Sequence, residues 1–121
     1  MITNIHQKSG ENVWLWMVKI VTGLMIVVLI SVHFVVNHFV SKNGLLSHSD
    51  VVLYYKNWFV PIMEIIFLVF AVTHSLIGIR SILLDLNPPP KLKRTATLVF
   101  TIVGIGFISY GIWLVWTIRS F

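Results

Sequence analysis

Apolar residues run along this chain in three long blocks separated by short polar connections. The 22 residues between Lys19 and Lys42 carry no formal charge, the 23 between Lys56 and Arg80 include only Glu64, and the 24 between Arg94 and Arg119 carry none. A helix of about 20 apolar residues covers the ~30 Å hydrocarbon core of a bilayer, so each block is long enough to cross. Short runs with period-two polarity are absent, which excludes a membrane barrel. The pattern predicts helices near 14–40, 57–85 and 94–118, all in a single membrane domain spanning 1–121. The first apolar run far exceeds the 7–15 residues of a signal-peptide core and has no small-residue cleavage site after it, so it is expected to stay as an anchor.

The connections are typed by their residues. Lys42-Asn43-Gly44 reads as a helix stop followed by turn chemistry, with His48, Ser49 and Asp50 as caps for a short surface segment. Asn87 followed by Pro88-Pro89-Pro90 ends the second helix, because proline cannot continue it and forces extended backbone on its predecessor.

Composition agrees with lipid as the solvent. The hydrophobic fraction is 57% and the charged fraction 11%, against roughly 45–50% and about 25% in ordinary globular domains. The mean hydropathy is +0.90. Without cysteine, the chain has no disulfides, thiolate zinc sites, iron–sulfur ligation or covalently attached c-type haem. Lys8, Lys19, Arg80, Lys91, Lys93 and Arg94 gather on the side of the N-terminus and the second connection, against Lys42, Lys56 and Arg119 on the other. Positive-inside bias therefore predicts a cytoplasmic N-terminus. That bias also accounts for the net charge of +5, leaving no role for nucleic acid. Trp14 and Trp16 at one end, and Tyr54, Tyr55, Trp58, Trp113 and Trp116 at the other, fit interfacial aromatic belts.

Ionisable residues inside apolar runs are costly and mark candidate function. His33 lies in Leu29-Ile30-Ser31-Val32-His33-Phe34, and His74 in Val72-Thr73-His74-Ser75-Leu76. Each imidazole suits either an axial haem bond or a hydrogen bond to a neighbouring helix. His38 and His48 read as interfacial, and His6 lies in a polar tail. At 100° per residue Ala71, His74, Gly78, Ser81 and Asp85 share one face, so small residues flank the imidazole, as room for a porphyrin or as a helix-packing stripe. Thr97, Thr101, Gly104 and Gly111 form a comparable stripe on the third helix. Glu64 reads either as a carboxylate favoured by the positive end of its helix or as a proton-relay group in the outer half of the membrane.

The segment His74-Ser75-Leu76-Ile77-Gly78-Ile79-Arg80-Ser81-Ile82-Leu83-Leu84-Asp85 resembles the second-helix pattern H-x3-G-x-R-x4-D of membrane anchors of succinate:quinone oxidoreductases, the succinate dehydrogenases and fumarate reductases. In that family the histidine is a haem b ligand. His33-Phe34-Val35-Val36-Asn37-His38-Phe39 is similar to the first-helix motif of the di-haem cytochrome b anchors, whose first histidine binds the other haem. Lys19-Ile20-Val21-Thr22-Gly23 approximates the R-x-[ST]-G element beside the quinone site, and Leu86 stands where some anchors have a tyrosine.

The resemblance implies an all-α, three-helix anchor in a larger bundle with a second anchor subunit, in a prokaryotic cytoplasmic membrane. It implies His33 and His74 as axial ligands of haem iron, with Gly78, Ser81 and Arg80 around the haem. It implies a quinone site built from Trp16, Lys19, Thr22 and Asp85 near the cytoplasmic face. A flavoprotein carrying FAD and an iron–sulfur subunit would dock on that face, and both cofactors would stay in those partners. At 1.5 Å per residue His33 lies ~28 Å and His74 ~15 Å from the cytoplasmic end, about 13 Å apart in depth. Axial ligands of one iron are only about 4 Å apart on the ~2 Å metal–imidazole scale. Two b haems are therefore expected, each completed by a histidine of the partner anchor. The alternative expectation is a haem-free anchor or an unrelated small membrane scaffold using both histidines for packing.

Overall fold

The computed structural model describes residues 12–39, 44 and 46–121. His6, Lys8, Lys42 and Asn43 lie outside the described residues. Four helices follow one another: α1 (Val13–Phe39), α2 (His48–Tyr55), α3 (Phe59–Asp85) and α4 (Pro90–Ser120). The described residues include no strand, and α1, α3 and α4 are each long and apolar enough to cross a membrane. The chain is an all-α integral membrane protein.

Local chemistry sets the helix ends. Asn12 caps α1 by accepting the Trp14 N–H on its side-chain oxygen at 3.2 Å, satisfying one of the free donors of the first turn. Ser47, one residue before the expected caps, starts α2 with a reciprocal capping box: its hydroxyl accepts the Asp50 N–H, and the Asp50 carboxylate accepts the Ser47 N–H at 2.9 Å. Asp50 is held below the ordinary carboxylate range chiefly by that backbone hydrogen bond. Gly44 has φ +73°, as the turn signal before α2 anticipates. The C-terminus of α3 is closed by Asn87 at φ 51°, whose N–H bonds Leu84 O at 3.1 Å. Asparagine tolerates this left-handed position better than most residues.

The third apolar block starts its helix earlier than its charges imply. Helix α4 begins at Pro90, not near 94, and takes in Lys91, Lys93 and Arg94. A proline lacks the N–H that a first-turn position leaves unbonded in any case, so Pro90 initiates the helix whereas Pro88 and Pro89 break the chain before it.

Helix α3 is central. It packs on α1 along one side and on α4 along another, and α1 and α4 do not touch. The connections make the three spans antiparallel in order, with α2 lying across the end where α3 begins and α4 finishes. On α4 the small-residue stripe serves packing: a Cβ at Gly104 would come within 2.8 Å of Leu76 Cδ1, and one at Gly111 would collide with the Leu68 side chain. Few side chains are buried, notably Thr22, Val60, Met63 and Leu84. Most apolar side chains point outward, as expected where lipid, and not a self-contained core, surrounds the helices.

Candidate functional site

Two clusters lie along the seam between α1 and α3. In the first, His74 on α3 faces Lys19, Thr22 and Gly23 on α1. Its Nδ1 is 3.1 Å from the Lys19 carbonyl oxygen and 3.1 Å from Thr22 Oγ1. A carbonyl can only accept, so Nδ1 carries the proton and donates. Thr22, 5% exposed, uses its own hydroxyl hydrogen on Val18 O at 2.6 Å, and so is an acceptor toward the imidazole. The ring edge lies against Gly23, where a Cβ would stand 3.1 Å from His74 Cε1. With Nδ1 protonated, a neutral His74 has its lone pair on Nε2, the tautomer a metal requires.

Ser81, two turns further along α3, accepts a hydrogen bond from Lys19 Nζ at 2.9 Å. The shared α3 face expected for His74 and Ser81 is thus turned to α1. Gly78 lies between them, and a Cβ there would meet nothing within 4 Å. The space beside it is open, unlike that at Gly104 and Gly111.

The second cluster lies toward the α2 end. His33 Nδ1 is 2.8 Å from Glu64 Oε1, and the ring stacks on Phe67 with centroids 5.5 Å apart. His33 and Glu64 are 36% and 19% exposed. Asn37 donates to His33 O at 2.8 Å, and His33, Asn37, Tyr54, Tyr55 and Glu64 contribute to a cavity of about 220 Å³ roofed by α2. The carboxylate again makes Nδ1 the donor and leaves Nε2 of a neutral ring with its lone pair. Tyr55, on α2, has its phenol pushed up to about 12 by burial, reinforced by the Glu64 carboxylate.

The two imidazoles are well separated. Glu64, beside His33, and His74 are ten residues apart on α3, about 15 Å at 1.5 Å per residue, far beyond the separation of two ligands on one iron. Among the described residues no three His, Cys, Asp or Glu side chains form a metal-binding group.

The remaining predicted site residues divide. Lys19 and Thr22 belong to the His74 cluster, whereas Trp16 and Asp85 are exposed at the same end of the helices. An apolar groove of about 300 Å³ between Trp14, Met17, Val21 and Phe70 runs beside Thr22. Arg80 turns away from His74 toward α4, where its Nε donates to Thr97 Oγ1 at 3.1 Å. Sequence reasoning did not pair Thr22 with His74, nor Glu64 with His33. The signal for the second was present in two ionisable groups placed at matching depth on antiparallel spans.

The family described as succinate dehydrogenase/fumarate reductase transmembrane subunit matches residues 3–111. The succinate dehydrogenase hydrophobic membrane anchor subunit of Archaeoglobus fulgidus is 26% identical over 118 residues, covering 98% of this chain and 100% of that protein. No solved structure matches.

Proposed function

Because the chain belongs to the succinate dehydrogenase/fumarate reductase transmembrane subunit family, we propose that it is a haem b-binding, quinone-reactive anchor with its N-terminus in the cytoplasm. The observation that carries this reading is the way both intramembrane imidazoles are held by Nδ1. Each Nδ1 is held by an acceptor, the Lys19 carbonyl for His74 and the Glu64 carboxylate for His33. Each Nε2 is left as the donor atom that haem iron takes. The open space at Gly78 and the small Ser81 give a porphyrin room beside His74 that a packing stripe would not leave. Bound at either histidine, haem supplies a reversible one-electron iron centre.

His33 and His74 serve different haems in this reading, and a histidine of a second anchor subunit completes each. The exposed outer faces of α1 and α3 receive that subunit. Lys19 and Thr22 fix the His74 ring and, with Trp16 and Asp85, border the quinone site at the cytoplasmic end. There the Lys19 ammonium, anchored on Ser81, and the Asp85 carboxylate orient a quinone oxygen and exchange its proton. The flavoprotein and iron–sulfur subunits dock on the same face and carry the dicarboxylate chemistry, for which this chain has no residues.

The test is a dithionite-reduced spectrum with pyridine-haem quantification on the intact complex, expressed as haem per flavin. Two haems per flavin are expected, with His74→Ala removing the one nearer the cytoplasm and His33→Ala the other. Full haem content after His33→Ala reduces this chain to one ligand. A complex without haem absorbance leaves both imidazoles as interhelical hydrogen-bond donors only.

A further inference from the structure

Arg80 is the only arginine or lysine on the described length of α3, and it crosses to α4. Thr97 donates its hydroxyl hydrogen to Lys93 O at 2.9 Å and so accepts the Arg80 Nε–H at 3.1 Å. This bond orients the guanidinium by its stem and leaves the four N–H groups at its tip without an acceptor among the described residues. Lys93 and Arg94 of the first α4 turns join Arg80 around a groove of about 510 Å³, floored by Thr97 and Thr101. The groove holds three cations and no carboxylate. None of the three lies within ion-pair distance of a carboxylate among the described residues.

The groove does not end at its charges. Arg80, Thr97 and Thr101 also begin a second, apolar channel of about 260 Å³ between the same helices, walled by Leu76 and Ile77 of α3 and by Phe100, Ile105 and Ile108 of α4. From Thr97 to Ile108 is eleven residues, about 16 Å along the helix, or roughly half of the ~30 Å hydrocarbon core. A cationic head at the edge of the span and an apolar strip running inward from it have the outline of one molecule.

We propose that the α3–α4 groove is a binding site for an anionic phospholipid, with the phosphate on Arg80, Lys93 and Arg94 and an acyl chain along the strip to Ile108. Basic pockets between membrane helices recognise lipid head groups in this way, and guanidinium groups match phosphate through paired donors. A free phosphate would use the head of the groove and leave the strip uncovered. The site lies on the side of α3 away from α1 and stands whether or not His74 binds haem.

The experiment uses the intact complex, washed extensively in detergent and then offered phosphatidylglycerol, phosphatidylcholine of the same acyl chains, or inorganic phosphate, with retained molecules counted by native mass spectrometry. Phosphatidylglycerol is expected to be retained over phosphatidylcholine, and inorganic phosphate is expected not to displace it. Each cation removed, in Arg80→Gln and then with Lys93→Gln and Arg94→Gln, is expected to weaken retention about fivefold. Thr101→Trp, which fills the junction while keeping every charge, is expected to abolish retention, so the test survives poor assembly of the triple variant. Equal retention of the two lipids, displacement by inorganic phosphate, or unchanged retention in Arg80→Gln or Thr101→Trp would each overturn the proposal. So would loss of the iron–sulfur subunit from the triple variant with phosphatidylglycerol retained as before, which would assign these cations to that subunit.

Discussion

His33 Nδ1 and Glu64 Oε1 lie 2.8 Å apart across the α1–α3 seam, so the one charged residue between Lys56 and Arg80 is engaged by the histidine at its own depth on α1. Of the two roles considered for Glu64, a charge favoured by its helix terminus and a proton relay, neither anticipates this partner. A carboxylate at an imidazole Nδ1 fixes the tautomer and raises the basicity of the opposite nitrogen. Replacing Glu64 with Leu, combined with His33→Phe in a double-mutant cycle, is expected to give a coupling of about 1–2 kcal/mol. Reversible denaturation in mixed micelles measures it, and a coupling near zero would make the contact incidental.

Gly23 sits under the His74 ring, which cannot retreat without lengthening both of its Nδ1 hydrogen bonds. Gly23→Val is expected to destabilise the α1–α3 pairing by about 1–3 kcal/mol through overpacking. Thr22→Val removes one acceptor, with an expected cost of about 1 kcal/mol, and Thr22→Ser restores it. Thermal unfolding of the three variants checks the order, and a Gly23→Val protein as stable as the parent would show that the ring has another place to go.

Arg119 ties the end of α4 to the α2–α3 connection. One guanidinium nitrogen donates to Tyr55 O at 2.8 Å, the guanidinium carbon lies 3.4 Å over the Trp58 ring, and Lys56 donates back to Arg119 O at 3.2 Å. Arg119→Ala is expected to free α2 first, raising amide exchange between His48 and Tyr55 by roughly 10-fold, in keeping with about 1.4 kcal/mol from a charged hydrogen bond and a cation–π contact. Exchange confined to the last turn of α4 would locate the loss in that turn alone.

Tyr55 carries a pH dependence with a definite sign. Its phenol is raised to about 12 in the folded chain by burial and by Glu64, against about 10 when unfolded. Folding therefore favours the neutral phenol: its contribution is complete below pH 10 and is lost as pH rises from about 10 to about 12. One of the three tyrosines is expected to ionise near 12 by tyrosinate absorbance. That transition should vanish in Tyr55→Phe and move down in Glu64→Gln; an unmoved transition in Glu64→Gln would separate the phenol from the carboxylate.

The parts of the fold legible in the chain are those governed by local chemistry. The three spans follow from the long apolar runs, the end of α3 from Asn87 and its prolines, and the placement of His33 and His74 inside the spans from imidazoles set in apolar surroundings. Pro90 was harder to read, because Lys91, Lys93 and Arg94 have the composition of a loop although they occupy the first turns of a helix. The partners of the histidines depend on the axial offset and rotation of α1 against α3. That register is set by packing at Gly23 and Thr22 across some fifty residues of chain, and no short window of sequence encodes it. The direction of Arg80 was legible in part: six residues from His74 it faces elsewhere, but only the packing of α4 supplies Thr97 as its acceptor.

The turn from Leu86 to Pro89 bears on how the protein is made as well as on its shape. Asn87 in its left-handed conformation and three successive prolines leave that connection few alternative paths, so α3 and α4 emerge as a hairpin whose closure costs little chain entropy. The connection from α1 is longer and contains a helix of its own. During insertion α3 and α4 are expected to enter the bilayer as one unit, and α1 to join them by lateral diffusion. The His33 and His74 contacts, which lie between α1 and α3, are then expected to form last.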